Sequence, residues 1–364
     1  MRGICWLLLC CSTSLCAQTT SKLSMLFTGD IMQHQVQIET AYNAQLGRYD
    51  YQPCFKFIKP VLSAPDLTIG NLEVTLAGPP FTGYPIFSSP DELLSTLKDS
   101  GFDVLVTANN HALDRGRKGL ERTIDRLDSA NIIHTGTFKD TLDWLNNYPL
   151  IVEAKGFRIS LLNYTYGANG LKVRPPNKLN LIDTVQVKRD LQKAKDQHTD
   201  LILVFMHWGN QYENSANREQ RQLAEFCFRN GARIVIGSHP HVLQSIEWRK
   251  DKDQVVAYSL GNFVANQPER YRGIGAMLHI DLEKSTNDDG TSSVKVNDVA
   301  YSLSWVYRTQ PDGNFFILPV DQFEHDSEFV TNPASRERLK LLVDDTKKLF
   351  ERENKHVRKK SFVK

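Results

Sequence analysis

Carboxylates, an amide and histidines follow the ends of several apolar, strand-like runs in this sequence. Asp30 ends "LSMLFTGD" and Glu73 ends "DLTIGNLE". Asn110 and His111 end "DVLVTANNH", and Asp114 lies just beyond them. Carboxylate and amide oxygens are suited to manganese or magnesium, and imidazole is suited to zinc, iron or nickel. These residue types therefore predict a metal site if the fold brings them together.

Three further histidines occupy the same kind of position. His207 ends "DLILVFMHWG", and His239 and His241 end "RIVIGSHPH". In open α/β sheets, ligands bind at the carboxyl ends of the strands, so we expect all these side chains at one edge of the sheet. The set is too large for one tetrahedral zinc. It matches two cations about 3.5–4 Å apart, bridged by a carboxylate and a water.

Each of these residues also has a structural interpretation. Asp30 can cap a turn, Glu73 can be an exposed loop charge, and Asn110 is suited to a left-handed turn. The interpretation as a site depends on joint occurrence, because four of the ten histidines fall in this one positional class. In His-Pro-His, alternate residues of an extended chain point to opposite sides, so the backbone must twist if both rings are to reach the metals. Alternatively, one ring binds metal and the other contacts substrate.

Alternating strand and helix patterns surround these residues. Apolar runs predict strands at 23–29, 66–71, 103–109, 158–165, 200–208, 233–238 and 254–262, and amphipathic patterns predict helices at 89–101, 119–131, 185–197 and 217–231. Ser89 before Pro90 predicts a helix N-cap, and Gly101 and Gly231 predict helix ends. The alternation predicts an α/β architecture with much parallel sheet.

The pattern changes after residue 262. Antiparallel strands are predicted at 275–283, 292–309 and 314–320, with a polar loop at 284–293. From about Ser327 the sequence predicts one charged, solvated helix with a basic end. We therefore predict one principal domain over residues 22–322 and a charged helical extension over residues 327–364.

The N-terminal residues 1–17 predict a secretory signal peptide. Arg2 precedes a short apolar run, and small residues surround the predicted cleavage site after Ala17. A permanent anchor is an alternative, although the run is short for one. Lipid attachment at Cys16 is a third possibility, but Thr13 stands where a leucine-like residue is usual. The prediction is an exported protein of the periplasm, the cell envelope or the extracellular space.

The composition excludes several classes of function. The chain has 364 residues, of which 41% are hydrophobic and 24% charged, with a net charge of +2. This balance gives no reason to expect a nucleic-acid partner. Nothing beyond the first twenty residues approaches the roughly 18 apolar residues of a membrane span. Outside the predicted signal peptide only Cys54 and Cys227 remain, which is no disulfide framework.

Six motifs in order carry a resemblance to a known family. They are "TGDIM", "IGNLEV", "TANNHALDRG", "MHWGNQYE", "GSHPHVLQ" and "YSLGNFV". Between Leu23 and Val264 the sequence resembles the CapA family of poly-γ-glutamate capsule synthesis proteins, a branch of the calcineurin-like metallophosphoesterase superfamily. The resemblance implies a four-layer α/β/β/α sandwich of the calcineurin-like metallophosphatase type. It also implies a site for two divalent metal ions (Mn, Fe or Zn) between the sheet ends.

The resemblance also implies roles for the individual residues. Asp30 would bind the first metal, Glu73 would bridge, and Asn110 would bind the second. The remaining ligands would be the three histidines that follow the later strands, His207, His239 and His241.

His111, with Asp114 beyond it, would protonate a leaving group or stabilise the transition state.

The sequence departs from the superfamily at two positions. Met32 stands where the usual Asp-x-His motif has its histidine, with His34 as a candidate substitute. Glu73 replaces the usual bridging aspartate. Both departures bear on whether the protein is a phosphoesterase.

Two further segments suggest how substrate could bind. Trp208 and Tyr212 beside His207 could line a groove, and core packing is an equal interpretation for Phe263. Lys172 and Arg174 lie in a long polar loop that would suit an anionic substrate, although a solvated basic loop is the alternative.

Three functional hypotheses follow. The first is a metal-dependent hydrolase or transferase acting on γ-glutamyl polymers or cell-envelope peptides, with a metal-activated water attacking the amide carbonyl. The second is a secreted metallophosphoesterase with His111 as general acid. The third is a non-enzymatic capsule assembly or export factor that works with capsule-synthesis machinery. We favour the hydrolase.

Overall fold

The computed structural model describes residues 19–310 and 313–362. The predicted signal peptide, its cleavage site and Cys16 lie outside these residues. Among the helices that are described, none combines the length and the apolar character needed to cross a membrane.

The strands and helices largely follow the predicted alternation. The strands are β1 Thr19–Ile31, β2 Tyr42–Asn43, β3 Arg48–Tyr49, β4 Leu67–Leu72, β5 Val104–Val106, β6 Ile133–Thr135, β7 Thr137–Phe138, β8 Leu150–Ala154, β9 Phe157–Thr165, β10 Lys178–Leu179, β11 Leu201–His207, β12 Ile234–Ser238, β13 Ile246–Arg249, β14 Gln254–Ala257, β15 Asn262–Val264, β16 Ile274–Thr286, β17 Ser292–Arg308, β18 Phe315–Pro319 and β19 Arg358–Lys359. The helices are α1 Gln35–Ala41, α2 Gln52–Phe55, α3 Lys59–Leu62, α4 Glu92–Ser100, α5 Gly116–Ser129, α6 Thr141–Asn147, α7 Thr184–Asp196, α8 Arg218–Arg229, α9 Val320–Phe323 and α10 Pro333–Glu353.

Two large sheets form the centre of the protein. The first has the order β18-β17-β16-β1-β4-β5-β6, with β15 beside β1 and β19 beside β17. Its strands β1, β4, β5 and β6 are parallel. The second has the order β13-β14-β12-β11-β9-β8, and its inner strands β14, β12, β11 and β9 are parallel. Each sheet therefore has a group of parallel strands whose carboxyl ends lie at one edge.

Alternation along the strands divides the interior into layers. In β11, Leu203 and Phe205 pack into the core between the sheets, whereas Val204 and Met206 pack into a second core that includes buried residues of α7 and α8. In β1, Phe27 faces the core between the sheets, whereas Leu26 faces the core formed with α2, α3 and α4. Successive strand side chains point to opposite faces, so both sheets are covered on both sides. The predicted four-layer α/β/β/α sandwich is confirmed.

Predicted boundaries differ from the structure at several places, among them the start of α4 and the strand predicted at 254–262. The helix predicted from Ser89 begins at Glu92, and its N-cap is Asp91, whose side chain makes no capping hydrogen bond. Gly101 ends that helix as predicted, in the left-handed conformation with φ of 110°. The strand predicted at 254–262 is two strands, β14 and β15, because the chain leaves the second sheet after Ala257 and joins β1 of the first sheet at Asn262.

The C-terminal segment differs from the predicted single solvated helix. One face of α10 is buried, and Leu339, Leu342 and Leu349 belong to the core between the sheets. After α10 the chain forms β19, which pairs with β17 in parallel. The amphipathic spacing of these leucines explains the burial, because residues three and four apart share one helix face. The division at residues 322–327 stays a prediction.

Candidate metal centre

The predicted site residues meet where the parallel strands of both sheets end. Asp30 lies near the end of β1 and Glu73 follows β4 in the first sheet, and His207 ends β11 in the second. All three side chains are fully buried. Because the two sheets pack face to face, the ends of their strands supply ligands from opposite sides of one space.

Asn71 in β4 contacts both carboxylates of the cluster. Nδ2 of Asn71 lies 2.9 Å from Oδ1 of Asp30 and 3.4 Å from Oε2 of Glu73. Burial and the neighbouring Asp30 raise the pKa of Glu73 well above its ordinary value. A buried carboxylate pair is costly without a compensating positive charge. We did not single out Asn71 from the sequence, although two-residue alternation places it on the same strand face as Glu73.

His207 connects the second sheet to this cluster. Its Nδ1 lies 2.9 Å from Oγ of Ser238, and its Nε2 lies 2.8 Å from Oδ1 of Asn110. Its Nε2 also lies 3.5 Å from Oε1 of Glu73. Burial and the charge of nearby histidines, His239 first among them, lower the pKa of His207 well below its ordinary value. A ring held neutral in this way keeps a nitrogen lone pair available for a metal.

The His-Pro-His segment adopts a twisted backbone. His239 and His241 both have positive φ, 94° and 57°. The twist directs both rings into the cluster: Nδ1 of His241 lies 3.0 Å from Oδ2 of Asp30, and the His239 ring centroid lies 4.7 Å from that of His207. Non-glycine residues adopt positive φ rarely and at some cost, and such strain collects at functional sites.

The donor set fits metal ions. Two groups can each place three ligand atoms within 4.8 Å of one another: Glu73 with His207 and His239, and Glu73 with Asp30 and His241. Within residues 19–310 and 313–362, Oε1 of Glu73 and Nδ1 of His239 are buried and have no hydrogen-bond partner. Buried polar atoms without a partner are costly and uncommon. A cation held by Glu73 and His239 in the first group would supply the partner that these buried atoms lack, and Glu73 belongs to the second group as well.

Beside this cluster lies a buried His–Asp pair. Nδ1 of His111 lies 2.9 Å from Oδ2 of Asp114, and the backbone N–H of Phe87 donates to the same oxygen at 2.6 Å. The Phe87 ring packs edge-on against His111 at 4.6 Å between centroids. A carboxylate acceptor places the proton on Nδ1 and fixes the ring, which leaves Nε2 for proton transfer.

Asn110 and His111 also contact a residue that follows β9. Nδ2 of Asn110 donates to Oδ1 of Asn169 at 3.1 Å, and Nδ2 of Asn169 lies 3.5 Å from Nδ1 of His111. Asn169 therefore connects the loop after β9 to the site. Its φ of 49° is a conformation that asparagine tolerates better than most residues.

The two residues tied to the unusual first motif lie outside both ligand groups. Met32 is buried in the core that covers the first sheet. His34 accepts a hydrogen bond at Nδ1 from the backbone of Asn266 at 3.2 Å, and burial lowers its pKa to about 4. His34 is near the centre, but it belongs to neither group of three ligands.

Of the aromatic residues that the sequence suggested for the site, only Tyr212 borders it. Trp208 is buried and donates to the carbonyl of Tyr258, and Phe263 packs in the core with Phe55, so neither lines a groove. Tyr212 is 40% exposed and lies beside His241. Tyr166, which sequence reasoning missed, is 49% exposed and lies against both His207 and His239. The two tyrosines border the centre on the solvent side.

The fold and the cluster together define an α/β/β/α protein with a buried carboxylate–histidine centre suited to metal binding. The chain matches the sequence profile of the family described as "Bacterial capsule synthesis protein PGA_cap" over residues 24–267. It therefore belongs to that family.

Individual relatives and solved structures are also similar. The capsule biosynthesis protein CapA of Bacillus anthracis is 32% identical over 290 residues, covering 76% of this chain and 66% of that protein, just under two thirds of its length. The PGA biosynthesis protein CapA of Bacillus subtilis is 29% identical over 295 residues, covering 76% of this chain and 71% of that protein. The crystal structure of a 5'-nucleotidase from Candida albicans superposes with a TM-score of 0.42 and 12% identity, covering 89% of this chain and 58% of that chain.

Proposed function

We propose that this protein is an exported, metal-dependent hydrolase of capsule or cell-envelope metabolism that cleaves γ-glutamyl amide bonds. The observation that carries the proposal is buried Glu73, which belongs to both ligand groups and whose Oε1 has no hydrogen-bond partner in the described part of the chain. The names of the two CapA relatives, which refer to the capsule and to PGA, supply the substrate class.

The residues divide into two sets of ligands around Glu73. Asp30 and His241 would hold one divalent cation, and His207 and His239 the other, with Asn110 beside His207. Two such ions, when bound, lower the pKa of a water and polarise the carbonyl that it attacks. Manganese, iron and zinc all accept this mixture of carboxylate and imidazole ligands.

The His–Asp pair supplies the proton that amide cleavage needs. An amine leaves an amide only when it is protonated, and Nε2 of His111 would take a proton from the attacking water and pass it to the amine nitrogen. Asp114 fixes the ring by accepting from Nδ1. Positioned proton transfer of this kind contributes roughly 10²–10⁴-fold to rate.

The test begins with metal content and continues with substrates. Elemental analysis of the purified protein, reconstituted with manganese, iron or zinc, should find about two equivalents. γ-Glutamyl oligomers and a phosphodiester are then assayed in parallel. We expect cleavage of the γ-glutamyl amide, its loss in Glu73→Gln, and its retention in Glu337→Gln, which makes the same change on the exposed face of α10.

Each other outcome has a defined meaning. Cleavage of the phosphodiester alone would replace the proposal with a metallophosphoesterase. Failure to bind any of the three metals would exclude both enzymes and favour a non-enzymatic role in capsule assembly. Export is tested separately, by locating the mature N-terminus in the producing cell.

A further inference from the structure

A cleft with a basic lining opens beside the metal centre. It lies between the first turn of α5 and the loop that follows Asn169, and its volume is about 620 Å³. The side chains that line it include Leu113, Arg117, Leu171, Lys172, Arg174 and Pro175. We call it the basic cleft. We infer that the basic cleft binds the free α-carboxylates of a γ-linked glutamate chain, and the choice of ligand rests on the function proposed above.

Two of the three cations that line the cleft are uncompensated. Lys172 and Arg174 are exposed, and neither forms an ion pair with a residue in the described part of the chain. Arg117 differs from them, because it forms an ion pair with Glu121 at 2.8 Å. No described carboxylate lines the cleft. A concave surface with one sign of charge attracts and concentrates anions.

A second groove, beside α10, has a lining of mixed charge, unlike the basic cleft. That groove has a comparable volume, about 540 Å³, and it is lined by Glu324, Asp344 and Glu351 together with lysines. Mixed charges of that kind are ordinary for a solvated surface. Among the described residues, those that line the basic cleft include cations and no carboxylate.

Both walls of the cleft are continuous with the metal centre. One wall begins at Gly116, two residues after Asp114. The other wall begins at Gly170, directly after Asn169, which contacts both Asn110 and His111. A chain bound in the cleft therefore leads toward the proton-carrying histidine, and a bound polymer would present one of its linkages to the ligands.

The chemistry of a γ-linked glutamate chain complements this lining. Each residue of such a chain carries one free α-carboxylate and two methylene groups between its amides. Lys172 and Arg174 match the carboxylates, whereas Leu113 and Leu171 match the methylenes. Leu171 is 52% exposed, so apolar contact there would remove surface from water. A polyphosphate has the charge but has no methylenes to cover these leucines.

Direct binding tests the inference without depending on cleavage. Calorimetry would measure a γ-linked glutamate oligomer binding to the whole protein, to Lys172→Gln/Arg174→Gln, and to Lys188→Gln/Arg189→Gln. The control pair makes the same charge change on exposed residues of α7, outside the cleft. We expect the cleft variant to bind about tenfold more weakly, with less sensitivity to salt, and the control to bind like the parent protein.

The outcomes separate this inference from the proposed function. If the oligomer is never cleaved but the cleft variant still binds it more weakly than the control does, the hydrolase fails and the cleft stands. If cleavage occurs but the cleft variant and the control bind equally, the cleft fails and the hydrolase stands. No binding of the oligomer by the parent protein, or binding of inorganic polyphosphate in its place, overturns the inference.

Discussion

Nδ1 of His241 lies 3.0 Å from Oδ2 of Asp30, although 211 residues separate them in the chain. Asp30 belongs to the first sheet, and His241 follows a strand of the second. The candidate centre therefore exists only when the sheets pack together. Loss of the fold removes the centre, whereas loss of a single ligand need not remove the fold.

Replacing Glu73 by glutamine should abolish stabilisation by metal without destabilising the metal-free protein. Burial and Asp30 raise the pKa of Glu73, which means that its charge is unfavourable when no cation is bound. A neutral side chain of nearly the same shape removes that cost. At a hundredfold excess over the dissociation constant, metal should stabilise the parent protein by about 2.7 kcal/mol and the variant by almost nothing.

Thermal unfolding with and without manganese or zinc measures both effects, with Glu337→Gln as the matched control. An equal metal-dependent rise in melting temperature in the parent protein and in Glu73→Gln would contradict the shared-ligand role.

Asp114→Asn should lower the rate of the proposed γ-glutamyl hydrolysis while leaving the metal content unchanged. Asparagine can still accept from the Phe87 N–H, but it no longer fixes the His111 ring with a charged acceptor. We expect a fall in kcat of roughly 10²–10⁴-fold. Asp344→Asn on the exposed face of α10 controls for the change in charge. Loss of metal in Asp114→Asn would assign this residue to the ligand set.

Gly29→Ala should destabilise the protein far more than Gly167→Ala. A Cβ at position 29 would lie 1.9 Å from the carbonyl oxygen of Gly261, and that carbonyl accepts the hydrogen bond from the backbone of Asp30. A Cβ at position 167 would meet nothing within 4 Å. We expect a loss of about 3 kcal/mol or more at position 29, where backbone must move. Urea unfolding of the two variants measures this difference in the free energy of unfolding. Coincident midpoints would show that β1 and β15 can separate freely.

His279 should make the protein less stable as the pH falls below about 6.5. Burial, helped by Lys360 and Arg358 and opposed by Asp298, lowers its pKa from 6.5 to about 3. Between these values the unfolded chain binds a proton that the folded chain does not, so the free energy of unfolding decreases as pH decreases. The contribution is at most about 1.4 kcal/mol per pH unit, and above pH 6.5 it is absent.

The measurement compares the pH dependence of urea unfolding in the parent protein and in His279→Gln. Glutamine can keep a hydrogen bond with Ser302, which lies 2.9 Å from Nε2 of His279. The variant should show a shallower loss of stability between pH 6.5 and 5. Equal slopes would mean that His279 titrates normally in the folded protein.

Much of the local structure could be predicted from the sequence. Buried strands such as β11 and β12 read as apolar runs because both their faces are covered. The end of α4 at Gly101 was also predictable, since a glycine can adopt the left-handed conformation there. The beginning of α4 was not predictable, because the backbone N–H of Ser89 donates to the distant carbonyl of Thr75. The helix begins only at Glu92.

The sequence by itself determined which residue types follow the strands, and hence that metal-ligating side chains lie at the carboxyl ends of parallel strands. It did not determine that these strands belong to two sheets. Only the tertiary structure decided how they share the centre. The hydrogen bond from Asn71 to Asp30, the contact of Asn169 with His111 and the buried face of α10 all join distant parts of the chain. Such contacts depend on how the two sheets pack and on how the chain crosses between them, and local sequence patterns carry no record of that packing.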